Sequence, residues 1–325
     1  AVKASGDFML YFDSPNTNEV KKLIKAREIW DQFIEGNYKT AEPGIIFWST
    51  MSDYSPSNYV GKPIICTNPC AEVPLEDGGA CNLGSINLSR FVKDGFTPEA
   101  SIDWDQLAES SETLVRFLDN VVTWNEDLNA LPKQRQAASE TRRLGLGVMG
   151  IADMLNQLGV AYDSEQGTMM IEKVMEYITN ASYQASSFIA KEKGASSIFD
   201  EEAYMECPFV KEALSEQTHS MIRKNGLRNI AIMSIAPTGS ISNIVLGYKS
   251  EEKNYIGVSG GVEPIFSTFY TRRSESFGNK MFKVFHSTIQ AYIDKMGIQE
   301  DVDKAEDVDE VLPEFLTRTA HKIDS

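Results

Sequence analysis

Apolar positions along the chain follow two spacings, one helical and one extended. Leu107, Leu114, Phe117, Leu118, Val121, Val122 and Leu128 recur every three or four residues and predict a long helix over 103–128. Val20, Leu23, Ile24, Trp30, Phe33 and Ile34 predict another from about Asn18, with Gly36 and Asn37 at its C-terminus. A third spans 164–194, with Ser164 as a good N-cap, and a shorter one follows near 209–224 after a polar stretch. The segment 281–296 reads as amphipathic, with Phe282, Phe285, Ile289, Ile293 and Met296 on one side.

Between these lie extended signals. Phe8, Leu10 and Phe12 alternate, and Ile45, Ile46, Phe47 and Trp48 form a short apolar run after a turn, consistent with a buried strand. Residues 51–63, with Pro56, Gly61 and Pro63, predict a loop. The run RRLGLGVMG at 142–150 reads as a buried strand leading into a helix that carries Met154, Leu155 and Leu158 and stops at Gly159. RNIAIMSIA at 228–236 is the clearest buried strand, apolar on both faces as a parallel sheet requires. The acidic stretch 299–314 reads as a solvated surface. Strands alternating with long helices predict an α/β architecture, with residues 1–325 as one domain.

Charge narrows the function. With 31 basic against 47 acidic residues, the formal charge of −16 argues against a nucleic-acid face, which needs cations to neutralise phosphates. A single nucleotide is still compatible, because backbone N–H groups can hold one phosphate without lysine. The first residues lack a secretory apolar region, and no run of about 18 apolar residues predicts a membrane span. Cys66, Cys70, Cys81 and Cys207 are too few to staple the chain. The expectation is a reducing, cytoplasmic compartment and cysteines that serve chemistry.

That chemistry centres on the segment 64–92. In extended backbone, Asn68, Cys70 and Glu72 project to one face, and Pro69 disfavours helix at Asn68. A thiol can donate hydrogen, a carboxylate can accept a hydroxyl proton, and an amide can hold that hydroxyl. A neighbouring carboxylate raises a thiol pKa, which points away from simple thiolate catalysis. Two other readings stay open at this level. Cys70 can be a small buried hydrophobe. Cys66, Cys70 and Cys81 can be zinc ligands, although they lack a second paired knuckle and His219, His286 and His321 lie far along the chain. Downstream, a Gly-containing turn and the hydroxyls of Thr238, Ser240 and Ser242 follow the 228–236 strand, and a helix is expected to start there, which suits an anion or a plain helix cap. Gly145, Gly147 and Gly150 match a dinucleotide spacing, but no acidic residue closes a strand about 20 residues on, so they read as close strand–helix packing.

Five ordered stretches carry a family resemblance: NPCAE at 68–72, ACNLGSINL at 80–88, RRLGLGVMG at 142–150, APTGSIS at 236–242 and SGGVEPIF at 259–266. Together they resemble the catalytic subunit of ribonucleotide reductases, most closely the adenosylcobalamin-dependent class II. The resemblance implies part of a ten-stranded α/β barrel, with an inner loop carrying the radical cysteine. It implies a thiyl radical at Cys70 that takes the 3′ hydrogen of a ribonucleotide, with Glu72 accepting the 3′-hydroxyl proton and Asn68 bonding the ribose hydroxyls. Cys81 would be half of a redox pair, and Pro237, Thr238, Gly239, Ser240, Ile241 and Ser242 would form the substrate-phosphate loop.

The implied cofactor is adenosylcobalamin, or otherwise a radical from a separate metal-containing subunit; no metal held by this chain is implied. Implied partners are a thioredoxin- or glutaredoxin-type electron donor and a homodimer or complementary N-terminal polypeptide. The family's partner for Cys81, its effector loops and its shuttle cysteines have no match here, so the chain is expected to be the second half of a barrel. A catalytically silent nucleotide-binding fragment that completes a split reductase is the alternative.

Overall fold

The structure is a computed structural model that describes residues 9–10, 24–41, 44–261, 264–265, 267–274, 278 and 280–319. The chain divides into two compact units, residues 1–49 and 50–325. In the first, β1 (Met9–Leu10) pairs antiparallel with β2 (Ile24–Lys25), which runs directly into α1 (Ala26–Thr40). The helix passes through Gly36 and Asn37, the expected stop. The Thr40 hydroxyl donates to the Gly36 carbonyl at 2.9 Å, and Lys39 pairs with Glu35 at 2.6 Å, so the last turn is held. The expected start near Asn18 and the positions of Phe8 and Phe12 lie outside the described residues.

The run at 45–48 is not a buried strand: Ile45, Ile46 and Phe47 are exposed, and Trp48 opens α2 (Trp48–Asp53). A four-residue apolar run carries no periodicity to distinguish strand from helix start. Within the predicted loop, α3 (Pro56–Tyr59) forms with Pro56 in its first turn, where the missing N–H costs nothing.

The second unit begins its sheet structure with a hairpin of β3 (Ile64–Thr67) and β4 (Pro74–Glu76). β5 (Asn82–Asn87) follows, then the short pair β6 (Val92–Lys93) and β7 (Ser101–Ile102). α4 (Trp104–Leu128) starts on Asp103, whose carboxylate accepts the Gln106 N–H. α5 (Pro132–Thr141) leads to β8 (Leu144–Met149) and α6 (Ile151–Gln157). α7 (Glu165–Lys193) has the predicted cap, Ser164 accepting the Gly167 N–H at 3.0 Å. After α8 (Glu201–Met205), the predicted helix at 209–224 is two, α9 (Pro208–Ala213) and α10 (Glu216–Asn225), because Ser215 caps a new start.

β5 and β8 are parallel, Asn82 opposite Leu144 through Asn87 opposite Met149, and every residue of β8 is buried. The segment 230–234 lies along the other edge of β8. Leu144 and Leu146 donate to the Ala231 and Ile232 carbonyls at 2.9 and 2.8 Å, and Ser234 donates back to Leu146 at 2.8 Å. Only Met233, opposite Leu146, makes a regular bridge, so the predicted strand at 228–236 is a buried, irregular one. The reason is contact: a Cβ on Gly147 would sit 2.2 Å from the Ser234 carbonyl oxygen, so the two backbones touch. Leu107, Val115 and Leu118 of α4 join Val174, Ile178 and Ile189 of α7 in the core over this sheet, whereas Phe117 and Leu128 are exposed.

The remaining strands are antiparallel pairs, β9 (Leu246–Lys249) with β10 (Asn254–Ile256) and β11 (Phe269–Ser274) with β12 (Lys280–Phe285). The segment 281–296 is therefore not one helix. It breaks at His286 into β12 and α11 (Ser287–Met296), because pairing with β11 and the Phe269–Phe285 ring contact override the helical spacing. α12 (Gln299–Lys304) and α13 (Glu314–Thr317) complete the unit. The acidic stretch is a surface, but Val302, Val308 and Leu312 point from it into a second core with Ile289 and Ile293. Strands pair two by two and no closed barrel forms among the described residues. No described helix is long and apolar enough to cross a membrane.

Candidate active site

Cys70 sits at the turn of the β3–β4 hairpin and is exposed. The backbone from 68 to 72 is not extended, as the sequence suggested, but folded into a tight turn. Ala71 donates to the Asn68 carbonyl at 3.0 Å, and Asn68 donates to the Val73 carbonyl at 3.2 Å. The Asn68 side-chain oxygen accepts the Val73 N–H at 2.9 Å, and Ala71 takes a left-handed φ of 65°. Asn68 thus builds the turn with its own amide, an Asx-type closure that competes with strand geometry. The alternation argument for Asn68, Cys70 and Glu72 fails, although the turn still gathers them within five residues.

Glu72 leaves one carboxylate oxygen, Oε2, buried without a hydrogen-bond partner among the described residues. Its backbone carbonyl accepts the Ser234 hydroxyl at 3.0 Å. That bond ties the cysteine turn to the segment that runs, three residues on, into Pro237. Cys81 immediately precedes β5, its sulfur 2.7 Å from where a Gly145 Cβ would stand. Burial pushes its thiol up to about 12; Arg143 pulls it down, and Glu72 and Glu76 push it further up. The Cys81 thiol is therefore protonated at neutral pH, in keeping with chemistry that does not need a thiolate.

The 237–242 loop is bent rather than helical. Thr238 has a left-handed φ of 55°, and the segment continues as a single 3-10 turn, Ile241–Asn243, so the expected helix is absent. Thr238 and Ser242 are buried; Gly239 and Ser240 are exposed, and their N–H groups have no acceptor among the described residues. Gly261 donates to both the Pro237 carbonyl and the Thr238 hydroxyl at 3.1 Å. The SGGVEPIF stretch is only partly described, since Val262, Glu263 and Phe266 lie outside the described residues.

Sequence reasoning missed two groups. Arg143 reaches the buried Glu76 at 2.7 Å and the Ser57 hydroxyl at 2.9 Å, while Thr141 donates to the other Glu76 oxygen at 2.8 Å. This ion pair joins β4 to the start of β8. Its neighbour Arg142 is buried on Asp119 at 2.9 Å. Two adjacent arginines opening an apolar strand were the available signal, since buried charges occur in pairs. The other group is Asp153, fully buried in α6. Among the described residues no His, Cys, Asp and Glu cluster suits a metal ion.

A family profile described as ribonucleotide reductase, barrel domain, matches residues 9–322. The chain belongs to the ribonucleotide reductase barrel-domain family. It is 39% identical over 272 residues to the vitamin B12-dependent ribonucleoside-diphosphate reductase of Thermoplasma acidophilum, covering 83% of this chain and 31% of that protein. It is 34% identical over 259 residues to the protein of the same name from Mycobacterium tuberculosis, covering 80% and 32%. The chain thus spans about a third of the length of the curated relatives it matches. The Actinobacillus ureae class Id ribonucleotide reductase alpha subunit shares the fold, with a TM-score of 0.61 at 21% identity, over 91% of this chain and 49% of that one. The reductase resemblance and the mixed helix-and-sheet class expected from sequence hold.

Proposed function

We propose that this chain carries the radical thiol and the substrate-phosphate loop of a ribonucleotide reductase, acting with the remaining length of the catalytic polypeptide. The observation that carries this reading is the Glu72 carboxylate oxygen, buried without a partner beside the Cys70 turn, on a residue whose backbone carbonyl is tied through the Ser234 hydroxyl to the strand feeding residues 237–242. A buried oxygen of this kind calls for a proton donor, and a ribose 3′-hydroxyl supplies one. Cys70, as a thiyl radical, takes the 3′ hydrogen. Glu72 takes the hydroxyl proton. The Asn68 carbonyl oxygen is committed to Val73, which leaves its amide N–H groups to hold the ribose hydroxyls. The free N–H groups of Gly239 and Ser240 would receive phosphate oxygens.

Cys81, kept neutral by burial, would be one half of a dithiol whose second cysteine the remaining polypeptide supplies. The pair would give up two electrons and two protons by closing to a disulfide, which a thioredoxin- or glutaredoxin-type donor would reduce again. The names of the relatives support adenosylcobalamin as the radical source. When bound, adenosylcobalamin would supply the oxidising equivalent that removes the hydrogen atom from the Cys70 thiol. The exposed turn at Cys70 fits such an approach, and it would equally admit a radical delivered by a separate metal-containing subunit.

The test is deoxyribonucleotide formation from ribonucleoside diphosphate by this chain with the rest of the catalytic polypeptide supplied, with and without adenosylcobalamin. Cys70→Ser is expected to abolish product while nucleotide binding persists. Glu72→Gln is expected to lower kcat by roughly 10²- to 10⁴-fold, the range for a lost proton acceptor. Turnover by Cys70→Ser at the unmodified rate would sink the proposal.

A further inference from the structure

We infer that Asp153 is a positioning residue for the 237–242 loop, an inference that rests on the phosphate reading above. Asp153 lies on α6, immediately after β8, and has no exposed surface. One of its oxygens accepts the Ser259 N–H at 2.6 Å, and the other accepts the Thr288 hydroxyl at the start of α11. His286 faces it at 3.9 Å. A buried carboxylate with two donors is strongly directional, since charge-assisted bonds are shorter and stronger than neutral ones.

What Asp153 holds is a clamp. The Ser259 carbonyl accepts the Gly150 N–H at 2.9 Å, and the Ser287 hydroxyl donates to the Gly257 carbonyl. Segment 257–261 is thereby fixed to α6 and α11, and it grips the loop along its length. Gly261 donates to Pro237 and Thr238, Val258 to the Ser242 carbonyl at 2.8 Å, and Gly257 to the Val245 carbonyl at 2.9 Å. Contact is close enough that a Cβ on Gly261 would lie 2.1 Å from the Ala236 carbonyl oxygen. Both ends of the loop therefore take their position from a segment that one buried carboxylate, together with the Gly150 and Ser287 bonds, anchors. Asp153 does not reach the loop itself; it acts through Ser259.

The experiment is isothermal titration of inorganic pyrophosphate into the full chain and into Asp153→Asn, which keeps the volume and loses one strong acceptor. The dissociation constant is expected to rise about tenfold or more, on the scale of one charge-assisted hydrogen bond. The alkylation rate of Cys70, on the separate hairpin, is expected to stay within about twofold of the unmodified chain, which a general loss of structure would not allow. Equal pyrophosphate affinity in the two chains overturns the Asp153 inference alone. No binding to the unmodified chain overturns the phosphate reading and the inference with it. Hydrogen exchange on the unmodified chain tests the same coupling if Asp153→Asn does not fold. Pyrophosphate is expected to slow the amides of Ser259 and Gly261 together with those of Gly239 and Ser240, and slowing confined to 239–240 overturns the coupling.

Discussion

The Ser234 hydroxyl donates to the backbone carbonyl of Glu72 at 3.0 Å, across 162 positions of sequence. It fastens the cysteine hairpin to the segment that runs into the 237–242 loop, so the distance between thiol and loop depends on it. Ser234→Ala removes one hydrogen bond, worth about 1 kcal/mol. The expected outcome is a turnover roughly fivefold lower and faster hydrogen exchange at the Val73 amide, with Ser234→Thr restoring both. Unchanged exchange at Val73 would mean that the turn is held by Asn68 alone.

Arg143 and Glu76 meet at 2.7 Å with about 5% and 3% of their surfaces exposed. Removing one partner leaves the other buried and uncompensated, which costs about 3–5 kcal/mol. Arg143→Met is expected to lower the urea midpoint accordingly, and adding Glu76→Gln should return part of the loss. Additive losses in the double variant would show that the two residues act independently.

How much of this was legible in the sequence depends on whether a feature is local. The helix over 103–128 and the Ser164 cap with the helix it opens were readable, because a periodic stripe and one side chain specify them. The reading of 281–296 failed at His286 because its first half answers to β11, a partner no local period reveals. The cysteine turn failed for a smaller reason: Pro69 excludes helix but permits either strand or turn, and the Asn68 side chain decides for the turn. Cys70, Glu72 and Cys81 were visible as chemistry, whereas Ser234, Arg143 and Asp153 acquire their parts only through contacts far along the chain.

The sequence reads Gly147 as close packing and the family resemblance puts Gly239 in the loop 237–242, and the structure separates the two sharply. A Cβ on Gly147 meets the Ser234 carbonyl at 2.2 Å, a backbone atom that cannot swing aside, whereas nothing lies within 4 Å of a Cβ on Gly239. Gly147→Ala is expected to destabilise by about 3 kcal/mol or more, the upper range for overpacking. Gly239→Ala should leave stability within about 0.5 kcal/mol. Denaturant midpoints of the two variants decide it, and equal midpoints would contradict the close approach of 234 to 147.

Cys81 gives the pH signature. Burial holds its thiol at about 12 in the folded chain, against an ordinary cysteine value of about 8.5. Only the thiolate reacts with iodoacetamide, so the alkylation rate of Cys81 should climb about tenfold per pH unit from 7 to 10 without levelling. In the unfolded chain the same thiol should level off near pH 9. The stability consequence has a definite sign. Between about 8.5 and 12 the folded chain keeps a proton that the unfolded chain releases, so this group's contribution is complete below about 8.5 and is lost as pH rises towards 12. Cys81→Ser, which does not ionise in this range, should flatten the fall in stability between pH 8.5 and 10. An alkylation plateau below pH 9 in the folded chain would place the thiol in solvent rather than against Gly145, and would remove the reason for treating Cys81 as a neutral hydrogen-bearing partner of the site.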